Sequence, residues 1–160
     1  MTQALARGRT SDSYIKLDWS ERDRSVIICP DDNDKFVQTV EQVIEAVRAQ
    51  GSDERVKVNH QFKELLRRLG EWAYDHSGMI RHALVTRRDS NLLFLVVTKS
   101  RKYDDAFEDE LTDLDVEIAR DDAFDLLPLS VLAIPNVDDA NTFGFITPEF
   151  VCYYRGLNGN

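Results

Sequence analysis

Apolar residues alternate with polar ones at the start of the readable chain, with Ile15, Leu17 and Trp19 opposed to Lys16 and Asp18. A polar turn, Ser20-Glu21-Arg22-Asp23, and the apolar run Val26-Ile27-Ile28-Cys29 follow, which together predict a β-hairpin. Pro30 cannot donate to a strand ladder and closes it, and Asp31, Asp32, Asn33 and Asp34 offer N-caps for a helix. Over residues 35–50, Phe36, Val40, Val43 and Val47 step by 4, 3 and 4, with Val37 and Ile44 widening the stripe. That spacing predicts an amphipathic helix, with Gly51 as its C-terminal cap.

Residues 53–59 fit either a short strand or the beginning of a helix, because Val56 and Val58 alternate with charges. Phe62, Leu65, Leu66, Leu69, Trp72 and Ala73 mark a second helix over residues 59–76, which Gly70 weakens without breaking. Residues 79–86 and 92–98 read as strands joined by Arg88-Asp89-Ser90-Asn91. The second lacks polar alternation, which predicts a central strand covered on both faces. A third helix is capped by Asp104 or Asp105 and runs to about Arg120, with Phe107, Leu111, Leu114 and Ile118 on its apolar face.

Pro128 and Pro135 bracket another apolar run, and strand, helix and strand over residues 92–134 have the lengths of a βαβ crossover. Two short strand-like pieces, residues 142–147 and 149–155, complete the pattern. The element order is ββ-α-(β)-α-ββ-α-β-ββ, an α+β fold with a mixed sheet and helices packed on it. Residues 1–13 read as a flexible lead, 14–155 as a single domain and 156–160 as a tail.

Charge adds an asymmetry to this picture. The net charge is −9. Residues 1–54 carry seven Lys/Arg against eleven Asp/Glu, residues 55–102 eleven against four, and residues 103–160 two against fourteen. A basic middle and an acidic end can satisfy each other within one fold or between two copies. The basic groups Arg81, Arg87, Arg88, Lys99, Arg101 and Lys102 fall at opposite ends of the expected hairpin, so no nucleic-acid partner is expected. No apolar run approaches a membrane span, and two cysteines make no disulfide framework, so the expected location is cytoplasmic and no membrane partner is expected.

No P-loop, dinucleotide-binding glycine motif, nucleophile elbow, zinc helix, paired-cysteine motif or calcium loop is present. No catalytic residue, cofactor or metal is assigned. On the third helix Asp105, Asp109 and Asp113 share one face, which reads as solvated surface or, alternatively, as a protein-binding face over residues 104–120. The C-terminal aromatics, with Phe150, Val151, Tyr153 and Tyr154 foremost, fill the core or form a strand edge that pairs with a second copy.

The functional expectation is a non-enzymatic, intracellular binding or interaction protein that forms a homodimer through its last strand. One alternative is a small enzyme or ligand-binding protein with a dispersed site. Another is an acidic, secretion-chaperone-like protein, which the size and a pI near 4.8 permit.

Overall fold

In the computed structural model, which describes residues 14–136 and 144–157, the alternation at the start of the chain forms β1, Ile15–Ser20. Its Ile15, Leu17 and Trp19 side chains are buried. A turn with Arg24 at φ 45° leads into β2, Ser25–Ile28, which pairs antiparallel with β1. Pro30 opens a short 3-10 turn, and α1, Asn33–Ala46, follows.

The expected end of α1 is corrected. The helix stops at Ala46, and Gly51 is no part of its cap. Arg48 takes the left-handed conformation, φ 56°. Its N–H donates to Glu45 C=O and that of Ala49 to Ile44 C=O, both at 3.1 Å. These two bonds satisfy carbonyls of the last turn in the way a glycine usually makes possible.

The ambiguity over residues 53–59 resolves as helix, and the expected optional strand is absent. α2 runs Gly51–Asp75, and its first turns project with Val56 exposed. Beyond it β3, Ile80–Arg88, and β4, Asn91–Thr98, form the expected antiparallel hairpin, turning at Asp89, φ 58°. β4 is buried from Leu92 to Thr98, as its unbroken apolar run requires. α3, Asp105–Ala119, then returns the chain to β5, Leu129–Ile134, which lies parallel beside β4. The expected crossover is present. Leu111 and Leu114 face the core and Asp109 and Asp113 face solvent.

The C-terminal end departs most from expectation. Residues 144–147 form a turn with one isolated bridge, Thr147 to Phe150, and residues 142 and 143 lie outside the described residues. A single strand remains, β6, Val151–Arg155. It inserts between β1, to which it is parallel, and β3, to which it is antiparallel. The sheet order is therefore β2-β1-β6-β3-β4-β5. Leu157, assigned from sequence to a tail, is buried.

The buried large apolar residues of the three helices belong to one core, on one face of the sheet, with Leu17, Val85, Phe94 and Cys152 beneath them. A smaller cluster on the other face holds Leu84, Leu93, Leu95, Val97 and Val151, with Phe145 and Ile146 packed against it. Gly70 marks where α2 comes closest to the sheet. A Cβ there would lie 2.9 Å from a Tyr154 ring carbon, 3.0 Å from a Val26 methyl and 3.2 Å from a Trp19 ring carbon.

Two stability measurements check this account. Gly70→Ala should lower stability by about 1–2 kcal/mol in urea unfolding, because overpacking outweighs the helix propensity of alanine. Arg48→Gly should raise it by up to about 1 kcal/mol, since glycine adopts the left-handed cap without strain. A stabilising Gly70→Ala would show that α2 can back away from the sheet.

Candidate functional site

The residues singled out in the sequence do not converge on one place. Phe150, Val151 and Tyr154 are core residues, at 0, 1 and 3% exposure. The Tyr154 hydroxyl donates to Leu66 C=O at 2.5 Å, and burial holds this phenol well above its ordinary pKa. Both edges of β6 are hydrogen-bonded within the sheet, so the last strand offers no open edge to a second copy. Among the described residues, the open edges of the sheet are β2 and β5.

Asp105, Asp109 and Asp113 lie exposed on α3. Other carboxylates of that helix are engaged by α2: Glu117 takes a hydrogen bond from Arg68 at 2.7 Å, and Glu110 lies 2.6 Å from His76 Nε2. His76 Nδ1 sits 2.8 Å from Trp72 C=O, and the ring stacks on the Trp72 indole. Trp72 C=O and the Glu110 carboxylate hold the ring at its two nitrogens. This binds the helix end to α3.

No three His, Cys, Asp or Glu side chains cluster as metal ligands among the described residues. Cys29 and Cys152 are free thiols. Burial pushes the Cys152 thiol far above its ordinary range, which suits packing rather than nucleophilic chemistry. Arg87 and Arg88 end β3, while Lys99, Arg101 and Lys102 lie past the far end of β4, the separation expected from sequence. No described helix is long and apolar enough to cross a membrane.

Two buried ionisable groups anchor the sheet. Burial alone would raise the Asp32 carboxyl. The Lys16 amide at 3.0 Å, with the Lys16 and Lys35 ammonium groups at 3.4 and 3.5 Å, outweighs it and holds the pKa below the usual value. His82 belongs to the other face. Its Nδ1 bonds the Tyr153 hydroxyl, and its buried Nε2 has no hydrogen-bond partner among the described residues. Burial, with neighbouring Arg81 adding to it, brings His82 down to about 4.

The feature that best fits a ligand is a pair of adjoining recesses along α2. The first, about 250 Å³, lies between α1 and α2 with Phe36, Val40 and Ile44 on one wall and Val56 and Asn59 on the other. Arg55 and Glu41 close across it in an ion pair of 2.6 Å. The second, about 320 Å³, lies between α2 and the edge strand, lined by Val26, Ile28, Leu66, His60 and Arg67. Phe36 and Lys63 line both, so the two recesses adjoin in a groove along α2. At its rim Val37 and Val56 are 60 and 68% exposed, and the buried Oδ1 of Asn59 has no partner among the described residues.

A recess of about 360 Å³ beside α3 and β5 is weaker as a site. Gln61 donates to Asp125 there at 2.7 Å and accepts from the Leu126 N–H at 3.0 Å, which leaves those polar groups satisfied.

Sequence reasoning missed the groove. Its signal was Val37 and Val56, apolar residues out of phase with their helices; Val37 extends no buried stripe. Compared with protein-family models, curated proteins and solved structures, the chain has no match.

Acid unfolding tests the His82 environment. The folded pKa, about 4, lies below the ordinary 6.5, so the unfolded chain takes up the proton first. Stability should fall by roughly 3 kcal/mol as pH drops from about 6.5 to about 4, a slope that His82→Gln removes. The Asp32 contribution disappears only at lower pH, below 3.8, because its folded pKa is depressed. Equal slopes in the two proteins between pH 6.5 and 4 would contradict the assignment.

Proposed function

We propose that the protein is a non-enzymatic binding protein that holds an apolar segment of a partner polypeptide in the groove along α2. The observation that carries this reading is the groove itself. It combines an apolar floor, two exposed valines and an unsatisfied buried amide oxygen. Exposed apolar side chains beside a concavity are the usual marks of a recognition surface. The two free thiols accord with a reducing, cytoplasmic setting.

Self-association is a second reading, now resting on the open edges β2 and β5 in place of β6.

Panning a displayed random-peptide library against the immobilised protein tests the principal reading. Enriched peptides should be rich in apolar residues, and their affinity should drop at least about tenfold for Val56→Asp, a change of about 1.4 kcal/mol. Val56 is exposed, so the variant should retain the circular dichroism of the parent. A library that yields no binders, or binders indifferent to Val56→Asp, would remove the proposal.

A further inference from the structure

Resting on that groove reading, we infer that the partner segment enters as an added strand: an extended, acidic peptide with alternating apolar residues that pairs with the open edge of β2. The hydrogen-bond phase of β2 supplies the first argument. Cys29 N–H donates to Lys16 C=O at 3.2 Å, and the register continues through Ile27 with Asp18 and Ser25 with Ser20. Alternate residues of a strand direct their backbone groups to opposite edges. The N–H and C=O groups of Val26 and Ile28 therefore face away from β1, and among the described residues no bond engages them. Four backbone groups stand ready for a strand.

The second argument is coincidence of surfaces. Val26 and Ile28, whose backbone groups face the open edge, also line the groove with their side chains. A peptide paired to that edge would place alternate side chains over the same recess, the combination by which strand addition obtains both affinity and specificity. β2 lacks the usual devices that protect an edge, apart from its shortness. Its four residues, Ser-Val-Ile-Ile, include no charge or proline, its register has no bulge, and Ile27 is 52% exposed.

The third argument is charge. In a chain of net charge −9, residues 55–68 carry five cations and one carboxylate, Glu64. Arg55 is bound to Glu41, Arg67 to Glu64 and Arg68 to Glu117. Lys57 and Lys63 make no ion pair among the described residues, and Lys63 stands between the two recesses. A carboxylate on the guest complements it. The other open edge, β5, is the poorer choice for such a guest, because Asp115 and Asp125 line the recess beside it.

The test uses a blocked nonapeptide of alternating valine and glutamate, titrated into the nitrogen-15-labelled full chain and followed by amide resonances. The Val26 and Ile28 amides should shift, and Lys63→Glu should weaken binding at least about tenfold. The valine–lysine analogue should bind Lys63→Glu better than the parent. N-methylation of all valines or of all glutamates should abolish binding in one set and be tolerated in the other, since only one set faces β2. Library peptides that need Val56 but keep their affinity under both N-methylations would overturn strand addition while leaving the groove reading standing. So would an acidic helical peptide that leaves the β2 amides unmoved. No binding of the nonapeptide would overturn the inference as well. A concentration-dependent dimer that shifts the same amides without peptide would assign the edge to a second copy.

Discussion

The close approach of α2 to the sheet at Gly70 is the contact on which the remaining geometry depends. There the helix backbone rests on Trp19 of β1, Val26 of β2 and Tyr154 of β6 at distances that leave no room for a methyl group. Tyr154 fixes the same place from below, through its bond to Leu66 C=O. A long helix held this tightly at one point must diverge from its neighbours elsewhere. The space left between this helix, α1 and β2 is the groove.

Electrostatics follows the same layout. The acidic end and basic middle of the chain meet as α3 against α2, where Arg68 and His76 engage Glu117 and Glu110. These contacts lie near the surface, where an ion pair contributes about 0–1 kcal/mol, so they orient the helices more than they stabilise them. The stronger anchor is Asp32, almost fully buried with two lysines about it, which joins β1 to the start of α1. Asp105, Asp109 and Asp113 stay outside these pairings and form a solvated acidic face.

Much of the fold was legible because its causes are local. The 4-3-4 stripe of Phe107, Leu111, Leu114 and Ile118 fixed the phase of α3, and the unbroken apolar run of β4 announced burial on both faces. The crossover from β4 to β5 followed from lengths. The C-terminal strand was recognisable as a strand, but its partners β1 and β3 lie far away in sequence, and no local pattern records such pairing. Arg48 hid a helix end because its side chain carries no turn signature, so the glycine nearby drew the assignment. Val56 hid the groove because two valines spaced by two residues fit a strand as well as a helix. The pocket itself arises only once α1, α2 and β2 are placed together.

The central position of β6 has a bearing on how the sheet comes into being. It is the last described strand to be made, yet it lies between β1 and β3. Without residues 151–155, β1 and β2 make up one half-sheet and β3, β4 and β5 another, with no strand between them. Joining them closes a loop from Ile15 to Cys152, a nonlocal step that comes late and leaves apolar edges bare in the interval. Before β6 is in place, the two half-sheets of described strands together present four open edges where the finished sheet has two.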